Sequence, residues 1–477
     1  MSAPHRILAA LAALAAAALL AAAAPAAAAP TPPGPDALPG LGTLPGMGAP
    51  PGAGDGRPGS AGLPLPAGSA GAPGSSGPGT AAPDPFYDEI PAELGAPGTV
   101  LKTQPAQHLL AMTGVDWPGE ATRVMYTSTR QTGERTGVTG VVIEPTTAWA
   151  GPGPRPTVVI APGTQGVGDQ CAPSRGRGFA VDLAEGPSLA LNYELPKMYA
   201  FAAKGIRVVL TDYIGLGTPG MHTYGHAEDQ AHAVLDGLRA GLALAGADPS
   251  DPVGITGYSQ GGGAAAAAAE HAASYAPELN LRATYAGAVP ARIGELLEYL
   301  DGTGLVGAIG FGLNAFGVYA SPGFAERMDA RLNEEGRRFV AETAHQCTLD
   351  ILANWGLRET REFTVDGRSF AELVEDEPEL AAIIERQSLG AATPARPIMI
   401  EASPNDDAVE FGQARDLARR YCAGGAHLAF FVDRTPPLLP GTSLNHVVPM
   451  ELNIPKAVEY LESAFRGEAL ADDCGAF

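Results

Sequence analysis

The chain has 477 residues and carries 52 acidic against 30 basic side chains, a net charge of −22. Such a field repels a phosphate backbone, so nucleic acid is excluded as a partner. The 62 glycines and 44 prolines make up more than a fifth of the sequence. An average protein has about 12%, so the composition indicates a globular body with a flexible appendage.

The first 29 residues have the pattern of a secretory signal peptide. His5 and Arg6 precede an unbroken apolar run at 7–24, and small residues end the segment at Ala29, as signal peptidases require. The alternative is a retained membrane anchor, because about 18 apolar residues are the fewest that span a bilayer. Alanine contributes little transfer free energy, so cleavage is favoured. We expect a secreted, extracellular protein, with tethering to the cell surface as the alternative.

Residues 30–84 are predicted to form a disordered linker. More than half of them are Gly or Pro, and such a stretch cannot bury enough apolar surface to offset its conformational entropy. Aromatic and charged residues begin together at 84–88, where we place the start of the folded body. Because single hydrophobic cores stop growing beyond about 250–300 residues, the length of this body predicts an inserted cap or second lobe.

Short, apolar, β-branched segments alternate with longer helical patterns through the body. The predicted strands are 123–129, 139–144, 157–161, 206–210, 253–256, 398–400 and 428–432. The predicted helices are 191–204, 227–245, 262–275 and 411–422. The first two strands are expected to form an antiparallel pair. The alternation of the other strands with helices indicates a parallel sheet covered on both faces, which is an α/β fold.

Ser259 lies in the sequence Gly-Tyr-Ser-Gln-Gly at 257–261. A predicted strand leads into this sequence and an alanine-rich helix leaves it, as in the nucleophile elbow of hydrolases. Side chains two residues either side of the serine would collide in that turn, which explains the glycines. The helix N-terminus also favours negative charge beside the serine. We predict that Ser259 is a nucleophile. The alternative is that the motif is only a glycine-rich packing turn.

Four histidines follow Ser259, and chain order in this fold requires the catalytic base to be one of them. His271 lies in the helix directly after the elbow, and His345 lies in a charged helical stretch. His427 precedes the last strand, at the end of the sheet opposite to the elbow. Only His446 lies in a loop between the last strand and the terminal helix, at the carboxyl ends of the strands where ligands bind. We predict that His446 is the base.

The acid should follow the strand that begins at Ile398. Asp406 and Asp407 both qualify by position, and local rules do not separate them. The one that is not catalytic is expected to be a helix N-cap. Asp433 is a third, weaker candidate.

The oxyanion hole needs the backbone N–H of the residue after the nucleophile, here Gln260, and a second donor from an earlier loop. The glycine-containing loop at 160–166 follows a predicted strand. We favour Thr164 as the second donor, because its hydroxyl could add a hydrogen bond, and Gln165 is the next candidate. A plain tight turn is the alternative.

Metal and cofactor sites are not expected. His222, His226, Asp229 and His232 have a spacing loosely compatible with metal ligation, but a helix whose polar face carries them explains the spacing better. The four cysteines offer no zinc-type spacing, and their even number suits two disulfides in an exported protein.

Taken together, these residues resemble the secretory lipase family, the group of Candida antarctica lipase A and of exported actinobacterial lipases. The segments that carry the resemblance are 84–87, 97–101, 162–166, 171–174, 211–220, 257–261 and 406–409. The resemblance implies an α/β-hydrolase core at 85–289 and 387–477, and a mainly helical cap or lid at 290–386. It also implies a triad in which Asp406 is the acid.

The resemblance further implies disulfides Cys171–Cys347 and Cys422–Cys474, one of three possible pairings. The chain departs from the family in the loop before His446, because residues 436–440 make this loop longer. The implied cap contains the apolar segment 304–319. This segment is expected to line an acyl-chain tunnel or to meet a lipid surface. The alternative is a buried helix loosened by glycine.

We therefore predict a secreted serine hydrolase of carboxylic esters, most simply a triacylglycerol lipase that forms an acyl-enzyme. Its partners would be a small lipid or ester substrate and, transiently, a lipid interface. One alternative is an acyltransferase or esterase that acts on esters of the cell envelope or other non-glyceride esters. Another is a non-catalytic surface adhesin built on a hydrolase fold.

Overall fold

The computed structural model describes residues 83–108, 118–176, 181–183 and 189–477. The predicted signal peptide and nearly all of the predicted linker lie outside these ranges. Among the described helices, none combines the length and the apolar character needed to cross a bilayer.

A nine-stranded sheet forms the centre of the fold, with the spatial order β1-β2-β3-β7-β4-β8-β9-β10-β11. Its strands are β1 (Val100–Ala106), β2 (Gly119–Thr129), β3 (Arg135–Pro145), β4 (Thr157–Ala161), β7 (Arg207–Thr211), β8 (Pro252–Tyr258), β9 (Asn280–Gly287), β10 (Ile398–Ala402) and β11 (Leu428–Val432). Strands β5 (Val181–Leu183) and β6 (Leu189–Leu191) form a separate antiparallel pair. The six strands from β7 to β11 are parallel, whereas β1, β2 and β3 are antiparallel to their neighbours.

Helices occupy much of the remaining described chain. They are α1 (Pro85–Asp88), α2 (Leu195–Ala203), α3 (Ala227–Leu244), α4 (Gln260–Tyr275), α5 (Ile293–Tyr299), α6 (Gly307–Phe316), α7 (Phe324–Arg331), α8 (Glu334–Thr343), α9 (Thr348–Asn354), α10 (Phe370–Glu375), α11 (Pro378–Glu385), α12 (Phe411–Ala423), α13 (Leu444–Leu452) and α14 (Ile454–Arg466). Short 3-10 turns lie at Asp169–Cys171, Pro173–Arg175, Gly317–Tyr319 and Thr360–Phe363.

Both faces of the sheet are covered, as the alternating pattern predicts. Helices α3, α4 and α12 pack on one face, and α2 and α14 pack on the other. The alanine run of α4, 264–269, is buried throughout. Because alanine side chains are short, α4 lies close to both the sheet and α3, and this close packing fixes the helix whose first residue follows Ser259.

The segment between β9 and β10 contains helices α5 to α11 and no strand, and the structure describes all of it. These helices have a hydrophobic core of their own. At its centre the rings of Phe339 and Phe363 stack with centroids 4.5 Å apart, and Trp355 meets Phe339 edge-on at 5.0 Å. Such aromatic pairs add stability beyond their buried area, so the helical segment is packed as a unit around its own core.

Sequence segments that are far apart in the chain meet in one buried hydrogen-bond network beside the sheet. The Asp212 carboxylate accepts hydrogen bonds from the backbone N–H of Ser174 at 3.0 Å and the hydroxyl of Thr139 at 2.7 Å. The hydroxyl of Ser174 also contacts Asp212, and its oxygen lies 3.1 Å from that of Tyr87. The Arg175 guanidinium lies 4.2 Å from the centroid of the Tyr87 ring. These residues therefore join the N-terminal segment to β3 and β7.

Two of the predicted helices begin at other residues in the structure. The helix predicted to begin at 191 begins at Leu195, and Leu191 instead ends strand β6. Pro196 explains the later start, because proline suits the first turn of a helix and not its interior. The helix predicted to begin at 262 begins at Gln260, directly after Ser259.

Candidate active site

Ser259 occupies a strained turn between β8 and α4. Its backbone is left-handed, with φ 61° and ψ −124°, and its N–H donates to the carbonyl of Gly287 at 3.0 Å. A Cβ on Gly257 would lie 2.0 Å from the carbonyl oxygen of Gly261, and one on Gly261 would lie 2.0 Å from that of Ala161. The turn therefore requires glycine on both sides of the serine, and strain of this kind is concentrated at functional sites.

Ser259, His446 and Asp406 are in hydrogen-bond contact. The Nε2 atom of His446 lies 2.8 Å from the Oγ of Ser259, and its Nδ1 lies 2.8 and 2.9 Å from the two carboxylate oxygens of Asp406. The Asp406 Oδ1 also accepts the backbone N–H groups of Ala408 at 2.8 Å and Val409 at 2.9 Å. The carboxylate is thus held in place and directs the Nδ1–H tautomer of the imidazole, which leaves Nε2 free to accept the proton of Ser259.

The surroundings of His446 raise its pKa above 6.5. Burial alone lowers the pKa of the imidazole, because it disfavours the charged form. The charge and hydrogen bond of Asp406 act in the opposite direction and outweigh burial, with further contributions from Asp407 and Glu401. The protonated imidazole is therefore stabilised at the position where it must accept a proton.

His446 lies in the first turn of α13, not in a loop as the sequence predicted. Ser443, just before this helix, has a left-handed backbone with φ 68°. The hydroxyl of Tyr258 donates to the carbonyl of His446 at 3.0 Å, which connects the residue before the nucleophile to the helix that carries the base. The extended loop before the helix is held by a hydrogen bond from the N–H of Leu438 to Asn445 at 2.6 Å.

The acid candidates that sequence rules left open make different contacts in the structure. Only Asp406 contacts the imidazole of His446. Asp407 was expected to cap the following helix if it was not the acid, but it does not do so. Its Oδ2 accepts the N–H of Ser443 at 3.0 Å. The N-cap of α12 is instead Glu410, which accepts two backbone N–H groups of that helix. Asp433 accepts hydrogen bonds from its own loop and from helix α14's cap residue, away from the imidazole.

The loop after β4 lies beside the nucleophile. The side chain of Glu194 accepts the N–H of Gly163 at 3.0 Å, so this amide cannot donate to a substrate. Thr164 lines the same cavity as Ser259 and Gln260, whereas Gln165 does not. Within the described chain, no acceptor is found for the backbone N–H of Thr164. This arrangement favours Thr164 over Gln165 as the second oxyanion donor, with the N–H of Gln260 as the first.

Three hydroxyl groups hold the loop in position. Tyr193 donates to the carbonyl of Thr164 at 2.8 Å, and Thr348, on α9, donates to the same carbonyl at 2.6 Å. Tyr213 donates to the carbonyl of Pro162 at 2.8 Å. The loop is thus fixed from the core on one side and from the helical segment on the other.

The sequence analysis missed a buried ion pair behind this loop. Lys197 Nζ lies 2.9 Å from Glu194 Oε2, and the two side chains are 5% and 1% exposed. The pair compensates the charge of the carboxylate that holds Gly163. Its sequence signal is an acid and a base three residues apart at the start of an otherwise apolar helix.

The polar residues considered as metal ligands each have a separate partner. His222 donates its Nδ1–H to the carbonyl of Ile214 at 3.0 Å and accepts the side-chain amide of Gln260 at 3.2 Å. Burial lowers the pKa of His222 to about 4, so it stays neutral and holds the Gln260 side chain. His226 and His232 contact the backbone carbonyls of Ala315 and Thr129, and Asp229 accepts the hydroxyl of Tyr319. In the described ranges no group of three or more such side chains forms a metal site.

An apolar cavity extends from Ser259 beneath the helical segment. The space between the protein atoms there, including open solvent at the mouth of the cavity, is about 900 Å³. The apolar side chains and glycines of its wall come from α5, α6 and adjacent loops, and they include Leu296, Leu297, Leu300, Leu305, Ile309, Gly312, Phe316, Leu389 and Val409. One face of α6 lines the cavity, and its Phe311 packs into the core of the helical segment. One face of α6 thus lines the cavity and another is buried in the helical segment, and the binding of an acyl chain in this cavity stays a prediction.

The structure contains both disulfides that the resemblance implies, Cys171–Cys347 and Cys422–Cys474. The first joins the loop after β4 to the start of α9, and Gly166 in that loop pairs with Cys347 as an isolated β-bridge. The second connects the end of α12 to the C-terminal tail, near the amino end of β11.

Comparison with known proteins identifies the family. A family model described as secretory lipase matches residues 183–473. The chain belongs to the secretory lipase family. This secretory lipase is 29% identical over 396 residues to a probable inactive lipase of Mycobacterium tuberculosis, covering 82% of this chain and 83% of the relative. It is 26% identical over 406 residues to a secreted triacylglycerol lipase of Malassezia furfur, covering 82% and 81% of the two chains.

Solved structures show that the fold of this secretory lipase is the α/β-hydrolase fold. Candida antarctica lipase A in its closed state aligns with a TM-score of 0.67 at 20% identity, covering 82% of this chain and 88% of that one. A rice cell wall degrading esterase of Xanthomonas oryzae aligns with a TM-score of 0.58 at 20% identity, covering 77% and 98%.

Proposed function

We propose that this secretory lipase is an exported hydrolase of carboxylic esters with long apolar acyl chains, acting through an acyl-enzyme on Ser259, with triacylglycerols as its substrate class. The observation that carries the proposal is the 2.8 Å contact between Ser259 Oγ and His446 Nε2, in a turn that exposes the serine above the sheet. Candidate oxyanion donors line the same cavity.

In the first half of the reaction, Ser259 Oγ bonds to the ester carbonyl carbon while His446 Nε2 takes its proton. Asp406 orients the imidazole and stabilises its positive charge. The N–H groups of Gln260 and Thr164 receive the negative charge on the carbonyl oxygen. The carbon–oxygen bond to the alcohol then breaks and His446 returns the proton to it. Water repeats these steps on the acyl-enzyme and releases the acid.

The cavity and the charge of the molecule favour neutral, long-chain substrates. The cavity wall is mostly apolar, which suits an acyl chain. The net charge of −22 favours a neutral ester over an anionic one. The Malassezia furfur relative, named as a triacylglycerol lipase, supports the same substrate class. We further propose that residues 290–386 act as a cap over this cavity.

The M. tuberculosis relative is named as probably inactive, which gives weight to the non-catalytic alternative. Hydrolysis of long-chain p-nitrophenyl esters and trioleoylglycerol by the wild type, Ser259→Ala and Ser274→Ala tests the proposal. Ser274 is an exposed serine on the same helix, so its variant is a matched control. We expect the wild type and Ser274→Ala to be active and to react with a fluorophosphonate probe. Equal rates for Ser259→Ala, or no labelling of the native wild type, would contradict the proposal.

A further inference from the structure

The cavity beside Ser259 contains an unpaired amide. Gln230 lies in the first turn of α3, is 3% exposed and lines the cavity. Its Nε2 atom is buried and has no hydrogen-bond partner among the described residues. A buried amide without a partner is unfavourable, and methionine or leucine at this position would avoid the problem.

The other polar side chains of the cavity wall all have partners. The pairs are Thr164 with Tyr224, Ser259 with His446, Gln260 with His222, and Gln387 with the backbone of Ala227 and Ile383. Gln387 shows that an amide in this wall can be fully bonded, since its oxygen accepts one N–H and its nitrogen donates to one carbonyl. The unpaired donor is therefore a particular property of Gln230.

Gln230 lies on α3, which carries none of the three residues Ser259, Asp406 and His446, and it lines the same cavity as Ser259. Gly263, one helical turn beyond Ser259, lines the cavity together with Gln230, Pro290 and Leu389. The candidate oxyanion donors are the N–H groups of Gln260, on α4, and of Thr164, in the loop after β4. An acyl chain bound in this cavity would contact mostly apolar groups and the Gln230 side chain.

We propose that Gln230 selects acyl chains that carry a hydrogen-bond acceptor oxygen part-way along an otherwise apolar chain, as a keto group, an ether oxygen or a second ester. This inference rests on the proposed function and specifies the substrate class of the same site. A site with a buried donor discriminates strongly against a ligand that leaves the donor unpaired.

The test compares p-nitrophenyl esters of one chain length: the plain alkyl ester, a series with a ketone at successive positions, and parallel ether and in-chain ester series. The enzymes are wild type, Gln230→Met and, as a matched control, Gln104→Met, which replaces an exposed glutamine on β1. We expect the wild type and Gln104→Met to prefer one position of the oxygen over the plain chain by about tenfold in kcat/KM. Gln230→Met should lose this preference, and the three oxygen series identify the natural group.

Binding of the corresponding free acids, measured by calorimetry, gives a second readout that does not require turnover. The preferred keto acid should bind wild type more tightly than the plain acid, and Gln230→Met should bind both equally. If Gln230→Met does not fold, Gln230→Leu replaces it. Absence of any preference in wild type, or its persistence without the amide, overturns the inference. Absence of ester hydrolysis with the binding preference intact contradicts only the proposed function.

Discussion

Asp406 and Asp407 are adjacent in sequence but serve different groups. Asp406 contacts the imidazole of His446, whereas Asp407 accepts the N–H of Ser443 at the start of the same helix. We therefore expect Asp406→Asn to lower kcat by about 10⁴-fold, because the amide would favour the wrong tautomer of the imidazole. Asp407→Asn is the matched control, and we expect a loss of less than about tenfold. Steady-state rates of both variants on one ester test this prediction. Similar losses of kcat in both variants would contradict the assignment of Asp406 as the acid.

The pH profile of kcat/KM tests the same contact independently. His446 must be neutral to act as a base, so activity rises as pH increases through its pKa. In wild type this pKa is raised, which places the acid limb above the ordinary imidazole value of 6.5. Asp406→Asn removes the largest raising contribution and leaves burial, which lowers the pKa. The acid limb of the residual activity should therefore move to lower pH, and an unmoved limb would contradict this account.

We expect Glu194 to affect catalysis through the backbone N–H of Gly163 that it holds. We expect Glu194→Gln to lower kcat by about tenfold with KM nearly unchanged, because the Thr164 amide acts mainly in the transition state. Lys197 would lose its charge partner, so the thermal midpoint should fall as well. Glu462→Gln, which breaks the more exposed pair with Lys204, is a matched control that should keep kcat. A fall in stability without a change in kcat would show that Glu194 is only structural.

At the scale of elements, short apolar strands were the most predictable. Strands β4 and β11 begin and end at the predicted residues, since their runs are short and apolar. Strand β1 was not predictable, because this edge strand pairs only with β2 and can therefore carry Lys102 and Pro105. Strand β9 was not predictable either, because Ala283, Ala286 and Gly287, which have weak strand propensity, interrupt its apolar pattern. Pairing with neighbouring strands, which local sequence does not encode, determines both strands.

The candidate site was predictable where chain order constrains it. The elbow motif and the required order of nucleophile, acid and base indicated Ser259 and His446, but local rules left two aspartates as the acid. Glu194 and His222 were not identified as site residues, because each makes its contact with a residue distant in sequence. Gln230 was not identified because its place in the cavity wall depends on tertiary packing.

One of the two disulfides lies beside the candidate active site, and the other lies at the opposite end of the sheet. Cys171–Cys347 joins the loop after β4, the proposed oxyanion loop, to α9, next to Thr348, which holds the carbonyl of Thr164. Cys422–Cys474 lies at the amino end of β11, at the opposite end of the sheet. We expect a double alanine variant of either pair to lose about 2–5 kcal/mol of unfolding free energy.

Only the first double variant should also lose kcat, by about tenfold, because the oxyanion loop would be less firmly held. Denaturant unfolding and ester hydrolysis at a temperature where all three proteins are folded measure the two effects separately. The Cys422 and Cys474 variant is the control. Equal kcat in both variants would show that the loop does not depend on its covalent connection to the helical segment.

The whole molecule places its chemistry at one edge of the sheet. Ser259, Asp406 and His446 follow β8, β10 and β11, and the oxyanion loop follows β4, so the carboxyl ends of the strands bring four segments together. Several other carboxyl groups are buried within the fold. Burial raises the pKa of Glu401 to about 7, that of Glu451 to about 7 and that of Asp236 to about 6.

These carboxyl groups make the stability of the whole molecule depend on pH. A carboxyl whose pKa is higher in the folded state binds more protons there than in the unfolded chain. The free energy of unfolding therefore decreases as pH rises between the two values, which for Glu451 are 4.5 and about 7. Above about pH 7 the buried carboxyl is ionised, and the free energy of unfolding is lower by the full cost of this ionisation.

Glu451→Gln should remove this cost, since Glu451 Oε2 has no hydrogen-bond partner among the described residues. We expect the variant to be more stable than wild type by about 1–3 kcal/mol at pH 8 and equally stable at pH 4, where the group is protonated in both states. Denaturant unfolding at the two pH values measures the difference. Glu459→Gln, at an exposed position on α14, is the matched control and should change stability little at either pH. A gain for Glu451→Gln that is equal at both pH values would show that ionisation of Glu451 is not its cause.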